Sequence, residues 1–180
     1  MKSTTLGKIL AIAGLAVGAA MAAVPTDADL AKSIRHEVLM YPRYSMWDDI
    51  SFRVNNGNVE LLGAVNQPYK RQDVQRLVQS IPGVTGVTNE IKVLPLSTFD
   101  DRLRLQVARA IYNDPALSRY AMGAIPAIHV IVDNGHVTLT GAVATESEKE
   151  IAGMRASGAG LSFGQVVNNL SVDHPSKSKS

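Results

Sequence analysis

The chain has 180 residues, with 18 Lys and Arg against 16 Asp and Glu and no cysteine. The missing thiols exclude disulfides, thiolate metal sites and the acylated cysteine of a lipoprotein. Removing Lys2 and Lys8 from the 18 basic residues leaves 16, equal to the 16 acidic ones, a neutral remainder without the basic face that nucleic-acid phosphates demand.

Lys2 and Lys8 stand in a short positive start, followed by an uncharged apolar run from Ile9 to Val24. This is the layout of a secretory signal peptide, and Ala20-Met21-Ala22 supplies its small-residue cleavage pattern. Residues 1–22 are therefore expected to be removed after Ala22. A membrane anchor needs roughly 20 apolar residues, and this run is shorter and rich in Ala and Gly. A leader without disulfides fits a bacterial periplasm.

Behind Thr26 to Asp29, the residues Leu30, Ile34, Val38 and Tyr41 recur at helical spacing and predict an amphipathic helix, which Pro42 ends. Ile50, Phe52 and Val54 then alternate with polar residues before Asn55-Asn56-Gly57-Asn58, and Val59, Leu61 and Gly63 alternate after it. Asn-Gly between alternating runs predicts a hairpin whose two turn residues take positive φ. A second helix turns Val74, Leu77, Val78 and Ile81 inward, and a strand with Val87, Ile91 and Val93 closes the unit. Pro95 to Thr98 is a short linker.

The same order then returns. Asn56–Val65 recurs as Asn134–Val143 at an offset of 78, and Leu30, Ile34 and Val38 recur as Leu103, Val107 and Ile111 at 73. Arg43-Tyr44-Ser45-Met46 recurs as Arg119-Tyr120-Ala121-Met122 at 76, and the segment 87–93 as 166–172 at 79. Leu103, Val107, Ala110 and Ile111 follow Asp100 on a helix that ends by Pro115. Ile128, Val130 and Val132 lead into the turn Asp133-Asn134-Gly135-His136. Thr145-Glu146-Ser147-Glu148 is a capping box opening a helix expected to turn Ile151 and Met154 to the core. The strand with Val166, Leu170 and Val172 is last.

The fold class is thus α+β, with two tandem αββαβ modules at residues 27–95 and 99–173. Each is expected to be a three-stranded mixed sheet packed against two helices. Modules of this size bury only about 60% of their unfolded surface, so the two are expected to touch. The polar residues 174–180 are expected to be a disordered tail.

The hairpin pattern Gly57-x-Val59-x-Leu61-x-Gly63-x-Val65, its copy from Gly135 through Gly141 to Val143, and Gly83-Val84-x-Gly86-Val87-x-Asn89-x-Ile91 resemble the BON domain family. The signature positions are Gly57, Gly63, Asn89, Gly135, Gly141 and Asn168. The second copy departs from the pattern where Ala159-Gly160-Leu161-Ser162-Phe163-Gly164 replaces the compact Gly-Val-x-Gly-Val. The resemblance implies a bacterial envelope or periplasmic protein that binds or chaperones, with relatives linked to osmotic stress, outer-membrane integrity and phospholipid binding.

No catalytic or metal site and no cofactor is expected. Hairpin pairing sets His129 opposite Thr140, so His36, His129, His136 and His174 do not converge and read as solvated. Asp48-Asp49 and Asp100-Asp101 have no accompanying nucleophile, and the latter pair suits the start of a helix. Gly83-Val84-Thr85-Gly86 matches the GxxG loop of KH-type RNA binders, but it joins a helix to a strand, carries no basic residue and reads as a glycine cap and turn. Asn89 and Asn168 share the parity of buried valines and are expected to bond the hairpin backbone.

Leu105 falls outside the core stripe between Arg102 and Arg109, a helix face suited to anionic lipid headgroups. Met46, Trp47, Tyr120 and Met122 occupy matching loops, where they suit a membrane interface or a client protein, or plug the end of each module. The reading is a non-catalytic envelope binding protein that associates with phospholipid membrane surfaces, with no nucleic-acid partner. The alternative is a periplasmic holdase-like chaperone for outer-membrane proteins.

Overall fold

The computed structural model describes residues 25–160 and 164–173. The leader with its cleavage after Ala22, the tail 174–180 with His174, and residues 161–163 of the second corner lie outside the described residues.

Thr26 opens α1 (Asp27–Met40) through a capping box with Asp29. The hairpin of β1 (Asp49–Asn55) and β2 (Asn58–Val65) is antiparallel, with Val54 opposite Val59 and Asn55 opposite Asn58. Its turn residues Asn56 and Gly57 have φ of 49° and 78°, the left-handed pair that a two-residue turn requires. After α2 (Pro68–Gln79), β3 (Gly86–Asn89) and β4 (Lys92–Val93) both run parallel to β2. The second module repeats this with α3 (Thr98–Tyr112), β5 (Ile128–Asp133), β6 (His136–Val143), α4 (Glu146–Ser157), β7 (Val167–Asn168) and β8 (Ser171–Val172). A short 3-10 turn, Ser118–Ala121, has no counterpart in the first module.

The central strands are β2 and β6, each flanked by its hairpin partner on one side and by a parallel lane on the other. That parallel lane was expected as one strand and is split in both modules. Asn89 and Asn168 cause the split: each side-chain oxygen accepts the N–H two residues on, from Ile91 at 3.1 Å and Leu170 at 3.4 Å. The kink drives Ile91 and Leu170 into the cores. The amide nitrogens reach helix carbonyls, Arg71 O at 2.9 Å and Lys149 O at 2.7 Å, rather than the hairpin backbone.

Each module has its own core. Leu30, Ile34 and Val38 meet Val74 and Val78 over Val59, Leu61 and Val65 in the first. Leu103, Val107 and Ile111 meet Ala152 and Ala156 over Val130, Leu139 and Val143 in the second. Two expected core positions are corrected. Ala108 rather than Ala110 is buried on α3, and Met154 is 65% exposed. Ala152 and Ala156 seat α4 against the sheet, and Met154 lies about 200° around the helix from Ala152.

Gly63 and Gly141 (φ 105° and 109°) sit where an added Cβ would lie 2.0 Å from the carbonyl oxygens of Asp49 and Ala127. Ser80 ends α2, so Gly83 serves the following turn rather than the cap. Ser97 caps α3, and the Asp100 carboxylate performs a different task. It accepts the N–H groups of Asn134 and Gly135 at 3.0 and 2.8 Å, as Asp27 does those of Asn56 and Gly57 at 2.8 and 3.0 Å. In each module the first helical turn therefore clamps the hairpin tip.

Candidate functional site

Two surfaces distinguish this chain: the outer face of α3 and the seam between the modules. On α3 the core residues Leu103, Val107 and Ile111 fix the helix's rotation. At 3.6 residues per turn, Arg102, Leu105 and Arg109 then share an arc of about 60° on the outside. Leu105 is 47% exposed and Leu96, just before the helix, is 81% exposed. Arg102 donates from Nε to the Thr98 carbonyl at 3.2 Å. Among the described residues neither Arg102 nor Arg109 enters an ion pair, whereas the buried Arg104 pairs with Asp101 and donates to Val132 O at 2.8 Å. The matching positions on α1 are Asp29, Lys32 and His36, so this apolar and cationic stripe belongs to the second module alone.

The seam is built by the loop between α1 and β1 lying along β5. Met46 O accepts the Val130 N–H at 2.8 Å, and Met46 and Trp47 pack against the second module's core. His129, read from sequence as solvated, is buried there. Its Nδ1 lies 2.5 Å from Asp48 O and its ring centroid 5.4 Å from that of Tyr44. Lys92 and Asp133 add an ion pair across the modules. The sequence signal for this burial is the strand pattern: Ser51 and Arg53 alternate with apolar residues on β1, but His129 and Ile131 fill those positions on β5. A strand apolar on both faces is covered on both faces. Leu105 and Trp47 border a cavity of about 190 Å³ with Asn66, Asp101 and Arg104.

The four loop residues are thus not equivalent. Met46 and Trp47 are in the seam and Tyr120 is partly buried in its own module, while Met122 is 86% exposed.

The buried charges all hold architecture. Asp48 pairs with Lys70 at 2.6 Å and accepts from Ser45 N and Asn66 N at 3.0 Å each. In the second module the equivalent N–H, of Ala144, is accepted by the Tyr120 hydroxyl at 2.7 Å, which donates to Glu148 at 2.9 Å. Glu148 occupies the position of Lys70 and pairs with Arg119, so one socket is closed with opposite signs in the two modules. Asp114 is held below the usual carboxylate range by the Ala116 N–H and by Arg155 at 2.7 Å. Burial raises the Asp49 carboxyl, against the neighbouring His129 and Thr140. Among the described residues no three His, Asp or Glu side chains gather as a metal site.

A structural protein of the type III secretion system of Chlamydia trachomatis, CdsD, is 16% identical, with a TM-score of 0.32 over 81% of this chain and 61% of that one. Its C-terminal domain is 15% identical, with a TM-score of 0.32 over 83% and 67%. This chain therefore spans 61% of the length of the first of these. No curated protein sequence matches the chain. A family model for the BON domain matches residues 26–95 and again 99–173. Those limits fall on the two αββαβ modules, and the chain belongs to the BON domain family, with two copies in tandem.

Proposed function

We propose that this chain is a non-catalytic protein of the bacterial envelope that lies on anionic phospholipid surfaces through the outer face of α3 and supports envelope integrity under osmotic stress. The observation that carries the reading is the stripe Arg102, Leu105 and Arg109, two cations without ion pairs among the described residues around an exposed leucine. The buried carboxylates support the non-catalytic part, since Asp100 closes a hairpin turn and Asp48 and Glu148 close the matching sockets of the two modules.

Each cation near an anionic surface contributes about 1 kcal/mol, and a partly buried leucine adds roughly 1 kcal/mol. Association of one chain is therefore weak, reversible and screened by salt. The chaperone reading rests on Met122 alone, because Met46 and Trp47 are packed into the seam.

Co-flotation with vesicles tests the proposal. The protein floats with vesicles rich in anionic lipid at low salt, and neither with zwitterionic vesicles nor with the double variant Arg102→Glu, Arg109→Glu. Equal flotation with both vesicle types, or an unaffected double variant, overturns it.

A further inference from the structure

The two sheet edges facing away from β3 and β7 differ in how they are covered. On β5 every outward-facing residue has a partner: Ile128 O accepts from the Tyr112 hydroxyl, Val130 N donates to Met46 O at 2.8 Å, and Val132 O accepts from Arg104 at 2.8 Å. On β1 the Ile50 N–H meets the Tyr44 phenol oxygen. The outward groups of Phe52 and Val54, which match Val130 and Val132 in register, have no hydrogen bond among the described residues. An edge strand left bare is a template for another chain.

We propose that the bare edge of β1 docks a second copy of this chain, whose loop at residues 120–124 lies on it as loop 44–48 lies on β5. The chain itself contains the template: in the seam, one module's loop covers the next module's edge strand. The loop that lacks such an acceptor carries Met122, the repeat partner of Met46, at 86% exposed. Tyr120, held by Glu148 and the Ala144 N–H, anchors that loop in its own module with Met122 outward.

Bulk is exchanged between the two surfaces. The seam sets a loop with Trp47 against an edge with Val130, and the intermolecular contact sets a loop with Gly123 against an edge with Phe52. Ser171 and Asn55 stand where Lys92 and Asp133 form their ion pair, so the intermolecular contact is weaker than the seam and less sensitive to salt. Such a contact is head-to-tail and grows into a ring or a filament. It would set several α3 stripes on one assembly and convert weak single contacts into avid binding.

The test uses purified protein without vesicles, so its outcome is independent of the lipid reading. Sedimentation velocity shows mass rising with concentration, and Met122→Asp abolishes the rise without shifting the unfolding midpoint. Because the chain has no cysteine, single-cysteine variants Met122→Cys and Ser51→Cys can be mixed under mild oxidation, and the mixed disulfide forms ahead of either homodimer. A constant single-chain mass overturns the proposal. So does a preferred homodisulfide, and one formed at Ser51→Cys would mark symmetric edge-to-edge pairing instead.

Discussion

The Nδ1 atom of His129 lies 2.5 Å from the main-chain carbonyl oxygen of Asp48, a residue of the other module. A carbonyl only accepts, so Nδ1 carries the proton in this contact. The bond joins the last residue of one module's α1–β1 loop to the covered strand of the other, beside the anchors Met46 and Trp47. The two modules are therefore expected to unfold together. Trp47→Ala is expected to cost about 3 kcal/mol, the low end for a large aromatic because Trp47 is only partly buried. Scanning calorimetry is expected to resolve two transitions in Trp47→Ala where the parent shows one.

The socket of Asp48 and Lys70 gives a second expectation. Both side chains are buried, and Asp48 also accepts two main-chain N–H groups. Lys70→Met leaves a buried carboxylate without its cation and is expected to cost about 3–5 kcal/mol. Asp48→Asn combined with Lys70→Met costs less than the sum of the single changes, because the uncompensated charge is gone. Urea unfolding of the four proteins in a double-mutant cycle measures this coupling.

The hairpin clamps provide a third. Asp100 is buried and holds both turn N–H groups of the second module. Asp100→Ala is expected to destabilise that module by about 2 kcal/mol, the scale for losing a charged acceptor. Asp27→Ala costs less, because Asp27 is only half-buried where Asp100 is buried. Amide exchange at Gly135 is expected to accelerate in the Asp100 variant while Gly57 keeps the parent's rate.

The pH dependence follows from two carboxylates shifted in opposite directions. Asp114 is held low by the Ala116 N–H and Arg155. Its contribution is complete above the ordinary carboxylate value of 3.8 and is lost as pH falls through its lower folded value. Burial raises Asp49 from 3.8, so its ionisation opposes folding as pH climbs through the raised value. Asp114→Asn is expected to lose stability at neutral pH, and Asp49→Asn to gain it. Both differences shrink in acid, as denaturation at a series of pH values would show.

How far the fold was legible depended on whether its cause was local. The Asn-Gly turns, the capping box at Thr145 and Glu148 and the stripes of α1 and α3 each depend on neighbours within a few residues, and all but Ala110 of the α3 stripe stand where the pattern put them. Met154 was misassigned because Ala152 and Ala156 bury a helix face through small size, which a count of large apolar residues overlooks. Asp100 read as a helix-start acid because nothing in its surroundings announces a hairpin tip 34 residues away. The seam was hardest, since Asp48 and His129 are 81 residues apart. Its trace was Ile131 interrupting the alternation that Arg53 preserves on β1. On α3, Leu105 was legible as an outlier from the stripe, and its exposure agrees.

The contact between α3 and a membrane is tested most directly by an environment-sensitive fluorophore on single cysteines placed at Leu105 and at Lys32, its counterpart on α1. With vesicles rich in anionic lipid, emission from the label at position 105 is expected to shift to the blue while the label at position 32 stays as in water. Equal shifts at both positions, or none at 105 under conditions where the protein floats with the vesicles, would contradict the assignment of that face.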